Sequence, residues 1–189
     1  EALEAKRKNG PVKGPYTWVT AKVKIDGEEF GEVGLRKKGF VGSQSTSRPS
    51  LKIKLNHTNK QAQLSGLTML TFNNNQQDIS LMSQVMGYAL YNAAGSPAPR
   101  CGYARITLNG QNLGVYSHVE SMREPLLKRG FGDDRGTLYE GTVVDFFRGW
   151  DKAFEKKIGK DQLGREKINQ LIDILEQNDL PDVEQAIGQ

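Results

Sequence analysis

Lys52 and Lys54 stand two residues apart in Leu51-Lys52-Ile53-Lys54-Leu55, an alternation that gives a strand one apolar face and one cationic face. Two ammonium groups fixed on one side of a sheet can neutralise phosphates. They can equally guard an edge strand against pairing with another chain, and spacing alone leaves both readings open. Just upstream, residues 39–49, GFVGSQSTSRP, form a Gly-, Ser- and Thr-rich loop. Other chemistries are poorly supplied. The single Cys, Cys101, excludes an intramolecular disulfide framework and a multi-Cys zinc site, and the two His, His57 and His118, leave little for a His-based metal centre. Asp133-Asp134 and Asp145 are acidic neighbours by sequence only and are not assigned to metal. Cys101 reads as a small buried hydrophobe, His118 as a packing or surface residue, and Tyr139 and Trp150 as core.

The elements that must position these residues follow from periodicity. Val19, Ala21, Val23 and Ile25 alternate with polar residues, Asp26-Gly27 supplies a type I′ turn, and the chain returns from about Phe30 to Lys37. The lysine strand follows Pro49, and Leu67–Phe72 fits a fourth strand. Asp78 predicts an N-cap for a helix over 79–94, whose stripe of Leu81, Met82, Val85, Met86, Ala89 and Leu90 should pack across one sheet face. Gly95 is placed to end it, before Pro97 and Pro99. A second hairpin turns at Asn109-Gly110 between Tyr103–Leu108 and Leu113–Val119. Ser121 with Glu124 makes a capping-box pattern for a short helix ending near Gly130, and Thr137–Glu140 reads as a strand. From about Phe154 the pattern turns helical, with Ile168, Leu171, Ile172 and Leu175 at i, i+3, i+4, i+7. A break at Asp179-Leu180-Pro181 precedes a last turn or two holding Val183 and Ile187. The class is α+β.

With 189 residues, 37% of them hydrophobic, the chain can bury a core. Its mean hydropathy is −0.58, and no apolar run reaches the ~20 residues of a membrane span. The net charge of +4 is uneven: residues 1–55 hold 12 Lys/Arg against 6 Asp/Glu. A basic first third suits an anionic ligand, or simply solvated lysines. Nucleic-acid binding would want interleaved aromatics, and Tyr16, Trp18 and Phe40 are too few. Hairpin, Gly/Ser loop, lysine strand, helix and second hairpin is also the order of a protein-kinase small lobe. There a loop covers the ATP phosphates, a strand Lys neutralises them and a helix Glu orients that Lys.

The stretches VGLRKKG (33–39), RPSLKIKL (48–55), LTFNNNQQD (70–78), the run from Ala93 to Ser121 and RGTLYEG (135–141) resemble the CotH kinase family, the spore-coat-H-like proteins. The resemblance implies a kinase-like fold that uses ATP with Mg or Mn and phosphorylates protein Ser or Thr, in a spore coat or at a secreted or cell-surface location. It implies a flexible tail over 1–15, a nucleotide-binding small lobe over 16–120, and a connector with a partial helical lobe over 121–189. Carried over by residue, Arg36, Lys38 and Gly39 match the start of the phosphate-covering loop, with Ser43 beyond them. Lys52 is the first choice for the phosphate-pairing lysine and Lys54 the second. Glu120 falls where the second hairpin would meet the adenine. Two departures stand out. Gln84 occupies the helix position where many relatives carry Glu, and residues 39–43 depart from the family's usual loop. No segment resembles the family's base and metal-binding residues, so the chain alone should be inactive, with its terminal ~35 residues mobile or self-associated and the Ile168–Leu175 stripe short of packing partners. The rival expectation is a non-catalytic surface or coat module with the same fold.

Overall fold

A computed structural model describes residues 16–39, 43–141, 144–177 and 185. The expected tail over 1–15, the break at 179–181 and the turn holding Val183 and Ile187 lie outside the described residues. The chain divides into two compact units, Glu1–Met122 and Arg123–Gln189.

The first unit is an antiparallel sheet of β1 (Val19–Ile25), β2 (Glu28–Lys38), β3 (Ser50–Lys54), β4 (Met69–Asn73), β5 (Cys101–Leu108) and β6 (Gln111–Val119), in the order β1-β2-β3-β4-β6-β5. Asp26 and Gly27 (φ 48° and 92°) and Asn109 and Gly110 (φ 50° and 80°) make the two hairpin turns with the positive φ that the sequence predicted. Alternation buries one face: Val33, Leu35, Leu51, Ile53, Leu70, Phe72 and Tyr116 form the core, with Leu55 and Leu113. The opposite face of β2, β3 and β4 is polar. The chain is α+β, as its periodicity indicated.

Helix α1 (Ser83–Ala93) corrects the expectation at its start and in its packing. It begins four residues later than predicted because Leu81 is left-handed at φ 60°. The Asp78 carboxylate is committed to a local turn, accepting from the Ser80 N–H at 3.1 Å and hydroxyl at 2.6 Å as well as from the Ser83 N–H at 2.8 Å. Short polar side chains compete with helix in this way. Only part of the apolar stripe is covered: Leu81 and Val85 are half-buried, whereas Met82, Met86, Ala89 and Leu90 are exposed, Leu90 by 70%. Its end is as expected. Gly95 (φ 80°) donates to Asn92 O and Ser96 to Tyr91 O, a Schellman motif.

The second unit holds α2 (Glu124–Phe131), β7 (Leu138–Gly141), β8 (Phe154–Ile158) and α3 (Asp161–Gln177). The predicted capping box is not used: Arg123 is the N-cap of α2, and the Ser121 hydroxyl instead meets that of Thr71 at 3.3 Å. Residues 154–158, expected to be helical, form the strand that pairs with β7. That hairpin covers α3, so Phe154, Ile168 and Ile172 are buried together with Tyr139, Val144 and Phe146 packed on them. Ile168 and Ile172 therefore do not lack packing partners, although Leu175 is 40% exposed. Tyr139 is half-buried and its hydroxyl donates to Asp161, whereas Trp150, expected in the core, is 47% exposed and edge-on to Phe147.

Gly159 joins β8 to α3 at φ 84°, and a Cβ there would lie 2.5 Å from Gly136 O. Gly159→Ala adds an unfavourable backbone region to a clash with backbone. It should destabilise this unit by about 2–3 kcal/mol, read by urea unfolding followed through Trp150 fluorescence.

Candidate functional site

Where β2, β3 and β4 pair, their polar face presents Gly34, Arg36, Lys38, Ser50, Lys52, Lys54, Met69, Thr71 and Asn73, with Glu32 of β2 on the same face just beyond the paired stretch. Four of the nine within that stretch are cationic and none of the nine is acidic. Arg36 is in direct register with Lys52, and like charges opposite one another on neighbouring strands are unfavourable unless an anion lies between them. The Arg36 guanidinium rests over the Trp18 ring at 4.9 Å from its centroid. Its Nε is buried with no hydrogen-bond partner, and burial lowers its pKa. A buried donor without an acceptor on rigid backbone is a place for an anionic oxygen.

At the end of this row, Lys38 Nζ donates to Asn73 Oδ1, and Asn73 Nδ2 donates to Gln84 Oε1 at 2.9 Å. Gln84 thus reaches the cationic row through Asn73, with Lys38 as the cation at the other end. Lys52 and Lys54 lie further along β3, both half-buried, beside Thr71 and Met69 of β4.

Gly39 (φ 125°) comes close to Ser43, where an added Cβ would lie 2.8 Å from Ser43 Oγ. Phe40, Val41 and Gly42 lie outside the described residues. Asn74, 1% exposed, fastens the far side of the loop. Its Nδ2 donates to Ser43 O at 3.1 Å and to Arg48 O at 2.8 Å, and its backbone N–H donates to Ser50 Oγ at 3.0 Å. Arg48 continues the fastening: its Nε donates to Leu113 O at 2.9 Å, and its guanidinium lies over Tyr116. Asn75 (φ 51°) makes a turn and donates through Nδ2 to Ser117 Oγ at 2.9 Å.

Glu120 follows β6. Its Oε2 accepts the Arg100 N–H at 2.9 Å while its own N–H donates to Arg100 O at 2.8 Å, so the carboxylate fixes the approach to β5. His118 is on the core side against Phe72, ring centroids 5.1 Å apart. Burial lowers its pKa, and the nearby Glu120 charge opposes this more weakly. The unfolded chain therefore takes up a proton near the ordinary imidazole value of about 6.5 while the folded one does not. Stability present above that pH is lost as pH falls from there to the lower folded value. His118→Phe should flatten that part of the curve of urea midpoint against pH.

Cys101 is half-buried rather than buried, its thiol pKa raised by burial. Among the described residues no three His, Cys, Asp or Glu converge to hold a metal ion. Asp133 is paired with Arg135 at 2.6 Å, and Asp145 Oδ1 accepts the Phe146 N–H at 2.8 Å. No helix among the described residues is long and apolar enough to cross a membrane. What this face can do chemically is hold a polyanion on fixed cations.

Comparison with protein families places the sequence in a larger group. A model described as CotH kinase protein matches residues 35–187, which begin inside β2 and include Arg36, Lys38, Lys52 and Lys54. An inner spore coat protein H-like protein of Bacillus subtilis (strain 168) is 31% identical over 112 residues, covering 56% of this chain and 36% of the relative. The chain thus spans about a third of that relative's length. With the match extending over most of its residues, the chain belongs to the CotH kinase family.

Proposed function

We propose that the polar face of the sheet binds the phosphates of ATP, and that residues 16–120 are the nucleotide-binding lobe of a kinase-like enzyme that phosphorylates protein Ser or Thr. The observation that carries this reading is the row of four cations with Arg36 set against Lys52 and the Arg36 Nε left without an acceptor. Lys52 takes the phosphate-pairing role, with Lys54 beside it. Arg36 and Lys38 flank the phosphates, with Gly39 and Ser43 beyond them. The end of β6 at Glu120 lies toward the adenine. Residues 121–189 are then the connector and the first part of a helical lobe. Phosphoryl transfer asks the protein mainly for positioning and charge compensation, and cations on paired strands supply both.

Among the described residues no three His, Cys, Asp or Glu converge on a site for the divalent ion, Mg or Mn, that accompanies ATP. The 189-residue chain by itself is read as binding ATP without sustained transfer. The relative's name suggests a spore-coat setting. A non-catalytic module is the second reading, favoured by Gln84: an amide joined to Asn73 cannot neutralise a lysine as a carboxylate would.

Calorimetry with ATP and Mg²⁺ tests the site. A charge-assisted phosphate bond contributes roughly 1.5–3 kcal/mol, so Lys52→Ala should weaken binding by about one to two decades. Equal affinities would shift the role to Lys54, and no binding by the native chain would end the nucleotide reading. Labelled ATP with a generic protein acceptor separates the two readings' chemistry. Sustained transfer by the chain would show that it holds its own base and metal ligands.

A further inference from the structure

Helix α1 lies on the sheet with Gln84, Val85 and Tyr88 on its inward side. Gln84 is bonded to Asn73, and Tyr88, one turn on, is half-buried beside Cys101. On the outward side, Met82, Met86 and Leu90 are 49%, 59% and 70% exposed. Recurring at i, i+4 and i+8, they form one line along the helix, with the exposed Ala89 and Ala93 beside it. A surface helix ordinarily turns such a line toward the core. Left outside and contiguous, it marks an interaction surface.

Charge identifies the occupant. From Ile79 to Pro99 the chain has no Asp, Glu, Lys or Arg, and Asp78 and Arg100 bracket the neutral run. A two-fold interface brings each patch against its own copy, so a charge near the axis would face the same charge. A neutral helix carries no such penalty, and it offers no charge pattern by which a different partner could be selected. Ala89 and Ala93 let two backbones approach closely, and methionine adapts to the facing surface.

We propose that α1 is a self-association surface, packed antiparallel on α1 of a second copy about a two-fold axis near Met86. Met86 is midway between Met82 and Leu90, so that pairing sets Met82 of one copy against Leu90 of the other. The surface is separate from the cationic row and stands whether or not that row binds nucleotide.

Sedimentation velocity on the 189-residue chain over a micromolar to millimolar range tests this, with circular dichroism as the check on folding. The native chain should show a concentration-dependent monomer–dimer equilibrium. Met86→Glu and Met86→Lys should each weaken it about a hundredfold, since like charges would meet at the axis. Mixing the two variants should restore a dimer made of one copy of each. A native chain monomeric throughout would overturn the proposal and assign the stripe to another partner. So would a dimer indifferent to charge at position 86, or variants that remain apart on mixing. If either variant loses its helical signal, Met86→Cys replaces it, and a disulfide between two copies through position 86 is required; its absence under oxidant overturns the proposal equally.

Discussion

Replacing Arg36 by methionine and Lys52 by alanine together should lower affinity for ATP about a thousandfold. Each substitution removes a charged donor from the phosphates, and each such bond is worth roughly 1.5–3 kcal/mol. Arg36→Met alone should act on stability in the opposite direction. In the unliganded protein Arg36 faces Lys52 in register and keeps a buried Nε without an acceptor. Methionine relieves both while still covering the Trp18 ring. The urea midpoint should stay level or rise by the equivalent of up to about 1 kcal/mol, while calorimetry records the loss of nucleotide. Binding lost with stability kept separates an anion site from a structural arginine. A variant that loses both would make Arg36 a structural residue.

Asn74→Leu should be the most damaging substitution in the polar loop, costing about 3–5 kcal/mol in urea unfolding. Asn74 is 1% exposed, and its amide satisfies the carbonyls of Ser43 and Arg48. Leucine fills a similar volume but leaves both oxygens without that donor, and a buried group without a partner costs about 1–3 kcal/mol. The Asn74 carbonyl also accepts the Gln76 N–H at 3.2 Å, so the turn beyond β4 loses a support at the same time. A cost under about 1 kcal/mol would show that the loop is held by other means.

The hairpins were legible because Asp-Gly and Asn-Gly turns are local, and the core face was legible because strand alternation is. Register was less so. A two-residue turn at Asp26-Gly27 extended without interruption sets Trp18 opposite Leu35. The irregularity between Lys22 and Lys24 moves the pairing by one, to Val19 opposite Leu35, which brings Trp18 to Arg36. No residue type in the sequence announces that bulge. Only part of the α1 stripe faces inward: Val85 is half-buried with Gln84 and Tyr88, while Met82, Met86, Ala89 and Leu90 are exposed, because a run of Met, Ala and Leu fits either a core or a surface. The 154–158 segment was absorbed into a helix because its short run lacks strict alternation; its partner β7 decides it. Asn74 gave no sign of its role, since its partners at Ser43 and Arg48 are 31 and 26 residues away. The cationic face itself was visible as paired lysines, but the opposition of Arg36 and Lys52 is a product of pairing and exists only in the fold.

Backbone NMR of the 189-residue chain titrated with ATP and Mg²⁺, and separately with adenosine, tests the phosphate site most directly. Phosphates held on the polar face should shift the amides of Arg36–Gly39, Ser43 and Ser50–Lys54 with ATP and leave them unmoved with adenosine, whose shifts should be confined to the neighbourhood of Glu120. Adenosine moving the same strand residues as ATP, or ATP shifting only residues beyond Met122, would contradict the assignment of the cationic row to phosphate.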